Sequence, residues 1–213
     1  MMKTDLVKTD KTYYTARPTP TLVTLEPVAY LALEGTGDPS GAAFTRHIEA
    51  LYTTAYTLKF TCKEAGADFT VPKLEGLWWY DTVQYGSIRP AEAAVCIPRS
   101  EWKYRLLIRM PSFINRYNAE EARKAALQRK GLPDIEKVTF FTMAEGLCVQ
   151  LLHTGPFDRE AESLEKIVAF MDQQGLRSNG LHHEIYLSDF RKTKPEALKT
   201  ILREPAAPVA QPS

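Results

Sequence analysis

The sequence predicts an α+β domain made of two halves, each with the order strand, helix, strand, strand. Three observations lead to this prediction. Apolar, β-branched runs suited to strands alternate with longer segments whose apolar residues recur at helical spacing. Turns rich in glycine and proline separate these segments. Short patterns from the first half of the chain recur in the second half. Together they indicate one packed unit with a cleft where the halves meet.

The composition is that of a globular domain. The 213 residues are 44% hydrophobic and 25% charged, and the formal net charge is +1. Such a chain can bury a substantial core, and its balanced charge without a basic run argues against a nucleic-acid partner. No apolar run approaches the roughly 20 residues of a membrane span, and the first residues lack the apolar core of a signal peptide. We therefore expect a cytoplasmic protein without a membrane partner, whose three separated cysteines stay reduced.

The first predicted half covers residues 21–115. It begins with a strand over 21–34, which is apolar and β-branched and runs into a glycine-rich turn. A strand dense in aromatic residues follows at 72–80, and residues 101–110 alternate in polarity as a half-buried strand does. The helix after the first strand is predicted by apolar residues at helical spacing: Phe44, Ile48, Leu51, Ala55 and Leu58.

The second predicted half covers residues 137–203. Strands at 137–143 and 146–153 precede a helix, and a further strand spans 183–187. The helix is predicted by apolar residues at positions i, i+3, i+4 and i+7, which are Leu164, Ile167, Val168 and Met171.

A helix over 118–130 joins the halves into one predicted domain, which covers residues 12–205. The polar residues 1–11 are predicted to form a flexible N-terminal arm. The segment AAPVAQPS at 206–213 is predicted to be a disordered tail.

The internal repeat rests on two pairs of short patterns, LEGTGD with LHTGPFD and LIRMP with ILREP. In this superposition Glu75 and Glu184 take corresponding places in the two halves. A chance similarity between short apolar patterns is the alternative explanation. If the repeat is real, the ligand cleft lies between two related units.

The sharpest candidate site is the run HHEIYLSD, which contains Glu184 and Tyr186. Alternate residues of a strand share a face, so these two side chains project together, with Cα atoms about 7 Å apart. Ile185 and Leu187 take the opposite face. A carboxylate beside a phenol can hold a cationic ligand, or act as a general base with a neighbouring donor. The alternative is a solvated glutamate beside a half-buried tyrosine.

Other kinds of site find little support in the sequence. Adjacent strand residues face opposite ways, so His182 and His183 do not readily bind one metal ion, and the chain has neither an HExxH motif nor a cysteine pair. It also has no GxSxG motif and no phosphate-binding glycine loop. We therefore predict no metal and no cofactor.

Aromatic residues supply the candidate walls of the pocket. They are abundant in the predicted strands, where flat rings can stack on planar ligands and attract cations. The alternative is that they fill the core. With Glu75, which the repeat pairs with Glu184, the candidate ligand-binding residues are Trp79, Trp78, Trp102, Tyr104, Tyr56, Met110 and Phe113.

Several longer motifs, in order along the chain, give a family resemblance. They are LEGTGDPS (33–40), LYTTAYTLKF (51–60), PKLEGLWW (72–79), LLIRMPSF (106–113), AEGLCVQLLHTGPFDRE (144–160) and HHEIYLSDFRKTKPEALKTILREP (182–205). From about residue 12 to 205 the chain resembles the stand-alone GyrI-like proteins.

The resemblance implies a duplicated strand–helix–strand–strand (SHS2-type) fold with a central ligand cleft. The same ligand domain occurs in the multidrug-sensing regulators BmrR and Rob, where it is fused to a DNA-binding module that we do not expect in this chain. The family's ligand glutamate matches Glu184, and the aromatic residue two places later matches Tyr186.

The resemblance also implies an activity. Some stand-alone members are cyclopropanoid hydrolases, which open the strained cyclopropane of DNA-alkylating natural products of the yatakemycin type. By this analogy Glu184 activates water and Tyr186 holds it or the developing charge, so both are candidate catalytic residues. The alternatives are a non-catalytic protein that binds or sequesters multiple drugs, and, with less support, a protein-interaction role. The sequence leaves the physiological ligand and the oligomeric state open.

Overall fold

The computed structural model describes residues 3–209, in which the chain forms nine strands and seven α-helices. The strands are β1 Thr21–Leu25, β2 Val28–Thr36, β3 Leu74–Trp79, β4 Lys103–Met110, β5 Thr139–Met143, β6 Gly146–Thr154, β7 Leu176–Ser178, β8 His182–Tyr186 and β9 Lys199–Pro208. The helices are α1 Leu6–Thr9, α2 Lys11–Tyr14, α3 Ala42–Glu64, α4 Thr82–Tyr85, α5 Pro90–Cys96, α6 Arg116–Lys130 and α7 Glu160–Gln173. Short 3₁₀ turns lie at Arg99–Glu101, Pro133–Lys137, Phe157–Arg159 and Pro195–Ala197.

The predicted α+β class and the duplication are confirmed. The first half is β2–α3–β3–β4 and the second is β6–α7–β8–β9, so each half has the order strand, helix, strand, strand. Within the sheet the strands of the first half lie in the order β3-β4-β2, and those of the second in the matching order β8-β9-β6. The halves meet where β3 pairs antiparallel with β8. This seam is the centre of the molecule's internal symmetry.

The sheet curls until its ends come close together. In the strand order β1 and β2 are six steps apart, which spans about 29 Å in a flat sheet. Only two residues, Glu26 and Pro27, separate them in sequence, and these can bridge at most about 11 Å. The predicted single strand over 21–34 is therefore two strands. Pro27 has no N–H for the ladder, and the break falls there.

Helices cover the outer, convex face of the sheet in two groups. Helix α3 packs on β2 and β4 with α6 beside it, and α7 packs on β6 and β9. Two separate apolar clusters result, one under α3 and α6 and one under α7. Helix α6 begins with a capping box at Asn115 and ends at Gly131, whose φ of 64° is the left-handed conformation that glycine favours. Strands β3 and β8 consequently line a groove between the two helix groups.

The inner, concave face encloses a third cluster, to which strands from both halves contribute. The N-terminal helices close it, because Tyr13 and Tyr14 are buried there. The guanidinium groups of Arg109 and Arg203, which occupy equivalent places in the repeat, lie 4.2 and 4.4 Å from the ring of Tyr13. Cations over an aromatic ring in a dry site are attracted by its quadrupole. The N-terminal segment is thus part of the core.

Two predictions about the chain ends are wrong within the described residues. The expected flexible arm contains α1 and the first residue of α2, and Thr4 forms a bridge with Phe69. The expected tail continues β9 to Pro208, where it pairs with β7. Long-range packing orders both segments. The remainder of these predictions, residues 1–2 and 210–213, lies outside the described residues. No helix within 3–209 is both long enough and apolar enough to cross a membrane.

Candidate functional site

The candidate site lies in the groove over β3 and β8, between α3 and α7. Glu184 and Tyr186 both project from β8 toward this outer face, as their spacing predicts. The side chain of Glu184 is 12% exposed, and Tyr186 is 6% exposed. The carboxylate and the phenol are therefore nearly enclosed, at the seam between the two halves.

Tyr186 is held from the neighbouring strand. The indole Nε1–H of Trp78 donates a hydrogen bond to the Tyr186 hydroxyl oxygen, with an N–O distance of 3.1 Å. Burial, and after it the charge of Glu184, raises the pKa of Tyr186 well above its usual value. The phenol is consequently neutral at physiological pH and keeps a proton that it can donate.

Gly76 makes room for this hydrogen bond. It pairs with Glu184 across β3 and β8. A Cβ atom at this position would lie 2.9 Å from Trp78 Nε1 and 3.0 Å from the Tyr186 hydroxyl oxygen. Any larger residue would push these two groups apart, so the absence of a side chain at Gly76 is part of the site.

A histidine links Glu184 to a further carboxylate. His182 lies two residues before Glu184 on the same face, with Nε2 3.4 Å from Glu184 and Nδ1 2.5 Å from Glu204. Burial alone would lower the pKa of His182, but Glu204 and Glu184 outweigh burial and raise it well above its usual value. His182 is therefore an imidazolium ion at neutral pH, and it neutralises part of the acidic charge around Glu184.

Aromatic rings cover Tyr186 from the solvent side. Phe157 and Phe190 pack edge-on against its ring, with centroids 5.9 Å away in both cases, and 6.0 Å from each other. Phe190 lies in the connection between β8 and β9, which reaches across the groove to the first-half core. On the other side Trp78 stacks on Phe44 at 5.8 Å. The groove thus has aromatic groups on several sides of the Tyr186 phenol.

Sequence reasoning missed several of these groups. Glu160 begins α7 and is buried at the groove. Like Phe157, it follows the second glycine turn, which the sequence indicated only as the start of a helix. His182 was considered only as a metal ligand, although its two-residue spacing from Glu184 already placed it on the same strand face. Gly76 gave no signal in a strand pattern. Phe190 lies in a loop, where periodicity gives no information.

The predicted equivalence of Glu75 and Glu184 is wrong by one residue. Leu74 pairs with Ile108 in the first half, and Glu184 pairs with Leu202 in the second. The repeat aligns Ile108 with Leu202, so Leu74 is the equivalent of Glu184. A shift of one residue in a strand moves every side chain to the opposite face. Glu75 therefore lies on the inner face, outside the groove.

The other predicted wall residues are dispersed. Trp79 shares the inner face with Glu75. Tyr104 is fully buried behind Trp78, and Trp102 contacts Trp78 edge-on at 6.4 Å. Tyr56 is exposed on α3, stacked on Tyr52. Of the aromatic candidates, Trp78 touches Tyr186 directly.

Two further candidates lie away from Glu184. Leu106 is level with Glu184 across the sheet, and Met110 lies four residues further along β4, roughly 13 Å away in the strand direction. Phe113 follows β4 and packs on Phe69. Met110 belongs to the first-half core, whereas Phe113 is 43% exposed beside it, and neither lies in the groove.

Glu75 instead belongs to a buried charge network on the inner face. Tyr13 donates its hydroxyl to Glu75 at 2.5 Å, and His183 lies between Glu75 at 3.0 Å and Glu145 at 2.9 Å. Arg203 donates to Glu145 at 3.0 Å and to the Tyr13 carbonyl at 2.8 Å. Burial opposes charge on both His183 and Glu145. Glu145 and Glu75 nevertheless raise the pKa of His183, and His183 and Arg203 together lower the pKa of Glu145 to about 2.

Two cavities lie elsewhere on the surface. One, of about 210 Å³, is beside α7 and is lined by residues that include His153 and Ser163. The other, of about 160 Å³, is between α6 and β5. Neither includes Glu184. Among residues 3–209 no group of three or more histidine, cysteine, aspartate or glutamate side chains is placed to hold a metal ion.

Fold and site together define a duplicated α+β domain with a groove of carboxylate and aromatic side chains at the seam of its halves. The chain belongs to the GyrI-like small-molecule-binding domain family, which matches residues 18–204. The resemblance seen in the sequence is thereby confirmed.

Solved structures show the same fold. The chain is 34% identical to an uncharacterized conserved protein from Listeria innocua, covering 96% of this chain and 100% of that one, with a TM-score of 0.86. It is 33% identical to a hydrolase from Listeria innocua, with the same coverage and a TM-score of 0.82. The EcmrR C-terminal domain shares the fold at 10% identity, over 90% of this chain and 98% of that one, with a TM-score of 0.57. The comparison with curated proteins gives no match.

Proposed function

We propose that this protein binds planar, lipophilic small molecules beside Glu184 and hydrolyses those that carry a reactive cyclopropane conjugated to a dienone. The observation that carries the proposal is a nearly enclosed carboxylate next to a neutral phenol and an indole, at the seam of the two halves. Similarity to a hydrolase from Listeria innocua over almost the whole chain adds support for hydrolytic chemistry.

The chemistry requires a base, a water molecule and a surface that holds a flat ligand. Glu184 takes a proton from water while the water oxygen attacks the cyclopropane carbon. The carbon–carbon bond breaks, and its electron pair passes into the conjugated ring, whose carbonyl oxygen becomes a phenolate. The phenolate takes up a proton from solvent and Glu184 releases its proton to solvent, so the net reaction adds one water. Tyr186 can donate a hydrogen bond to the attacking oxygen or to the developing charge. The Trp78 ring orients the ligand by stacking, which places the reacting atoms close together.

A turnover experiment separates hydrolysis from simple binding. The protein is incubated with a large molar excess of a cyclopropane-bearing alkylator, and mass spectrometry follows the parent compound and its product one water heavier. The proposal predicts that many equivalents of hydrated product form per protein. Loss of one equivalent without hydrated product would instead identify a sequestering protein. The single imidazolium among the carboxylates of Glu184 and Glu204 would then favour cationic ligands.

Two adjacent tryptophans provide a matched test of the groove. We expect Trp78→Ala to weaken the binding of rhodamine 6G by about threefold to tenfold, the loss typical of one aromatic contact. Trp79→Ala removes the same side chain from the opposite face of β3, and we expect it to leave the affinity unchanged. Fluorescence titration measures both. Equal weakening by the two substitutions would show that the effect is one of stability and would remove Trp78 from the ligand site.

A further inference from the structure

Glu160 is a buried carboxyl group that the proposed chemistry does not use. It is the first residue of α7 and is 8% exposed. Its Oε1 atom is buried and has no hydrogen-bond partner among residues 3–209. Buried polar atoms in native proteins almost always have a partner, so one without a partner calls for an explanation. The groups close to it are Glu184, His182 and Tyr186, which are all part of the groove.

The cation of the groove, the imidazolium of His182, already pairs with carboxylates other than Glu160. The His182 imidazolium lies between Glu184 and Glu204, at 3.4 and 2.5 Å. Glu160 has no ion pair with this histidine. Two neighbouring buried carboxyl groups, such as those of Glu160 and Glu184, do not both ionise without a compensating cation. Because Glu184 has a cation partner and Glu160 has none, Glu160 is the one that keeps its proton.

Within the described residues 3–209, no other charged group compensates Glu160. The preceding residue, Arg159, forms an exposed pair with Glu162 at 3.1 Å. Helix α5 packs against α7, but Arg89 and Glu92 at its start are exposed. Burial, followed by the charge of Glu184, raises the pKa of Glu160 well above its usual value, and the nearby imidazolium only partly opposes this shift. The carboxyl group is thus uncharged at neutral pH.

We propose that Glu160 is a ligand-binding residue of the groove, present as a neutral carboxylic acid whose O–H donates a hydrogen bond to a carbonyl oxygen of an uncharged ligand. This inference rests on the proposed function, because it requires that ligands bind beside Glu184. It defines one ligand class that the groove accepts, namely planar, uncharged molecules with a carbonyl acceptor. In this proposal the carboxyl group of Glu160, whose Oε1 atom has no partner, completes its hydrogen bonds only when such a ligand is bound.

The binding test compares two substitutions of the same residue. Glu160→Gln keeps an uncharged donor, whereas Glu160→Leu has a similar size and no donor. The probes are acridone, a planar ketone, and anthracene, which has similar rings without the carbonyl. We expect Glu160→Gln to bind acridone about as tightly as the wild type, and Glu160→Leu to bind it about tenfold more weakly. Anthracene affinity should stay equal in all three proteins. Equal loss for both probes, equal acridone affinity in all three, or no wild-type binding of acridone would overturn the proposal.

The pH dependence gives a readout that a purely structural role would not change. As pH rises through the raised pKa of Glu160, the acid loses its proton and can no longer donate. Wild-type affinity for acridone should therefore fall at alkaline pH, while that of Glu160→Gln stays level. The infrared difference spectrum between ligand-free wild type and ligand-free Glu160→Gln should contain the band of a protonated carboxyl group, which the variant lacks. Absence of that band at neutral pH would contradict the neutral acid.

These measurements distinguish failure of this inference from failure of the proposed hydrolysis. Binding and infrared spectra need no turnover, so they can support Glu160 even if no hydrated product forms. Conversely, turnover together with a missing carboxyl band would retain the hydrolase and reject the role of Glu160. Thermal unfolding of Glu160→Gln and Glu160→Leu verifies that both variants are folded at the assay temperature.

Discussion

Glu184→Gln is expected to lower the rate of turnover by about 10²–10⁴-fold, the usual contribution of a positioned general base. The amide has nearly the same shape as the carboxylate but does not accept a proton from water at neutral pH. Because the side chain keeps its size, uncharged planar ligands should still bind with similar affinity. Product formation over time measures the first effect, and fluorescence titration with acridone measures the second.

The matched control is Glu204→Gln, on the other side of the same imidazolium. Glu204 contacts His182 at 2.5 Å, as Glu184 does at 3.4 Å, but it is one strand further from Tyr186. We expect this variant to retain most of the turnover. If both substitutions abolish turnover equally, the charge balance around His182 is what matters. Full turnover by Glu184→Gln would reject this residue as the base.

The outer-face pair of the site could be predicted because it depends on local geometry alone. The two-residue spacing of Glu184 and Tyr186 fixes a shared face in any strand. The same rule applies to His182. Periodicity likewise predicted α3 and α7, since their buried residues are those that recur at helical spacing. The duplication followed from patterns that mark equivalent strand ends.

The groove itself depends on registers that the sequence does not specify. Two short apolar motifs align almost equally well when one of them is shifted by a residue. A shift of one residue was enough to assign Glu75 to the wrong face of the sheet. The partners of Tyr186 come from three separate segments, and only the curled sheet brings Trp78, Phe157 and Phe190 together. Such contacts between distant residues leave no periodic signal.

The N-terminal segment shows the same limitation. The polar composition of residues 1–11 predicts a flexible arm, but α1 forms there, and the adjoining Tyr13 and Tyr14 fill the concave side of the sheet and bind Glu75. Whether such a segment stays flexible or packs into the core depends on whether a complementary site exists elsewhere in the chain. That site is assembled from β3, β8 and β9, so local sequence around Tyr13 does not reveal it.

Arg203→Met is expected to lower the free energy of unfolding by about 3–5 kcal/mol, the cost of removing one partner from a buried ion pair. Arg203 is fully buried and donates to Glu145, Gln150 and the carbonyl of Tyr13. Methionine fills most of the space but donates nothing. Glu145 then retains a buried negative charge with only His183 beside it, and two other acceptors lose their donors. Urea denaturation measures the change.

The control variant is Arg99→Ala. It removes a surface arginine that lies at a similar distance from its acidic partner. Arg99 contacts Asp38 at 2.9 Å, but both side chains are largely solvated, so we expect no measurable change in stability. A double variant, Arg203→Met with Glu145→Gln, should recover part of the loss because it also removes the uncompensated charge. If Arg203→Met is as stable as Arg99→Ala, the inner network contributes little. If the double variant recovers nothing, the loss comes from packing around Tyr13 and not from the buried charge.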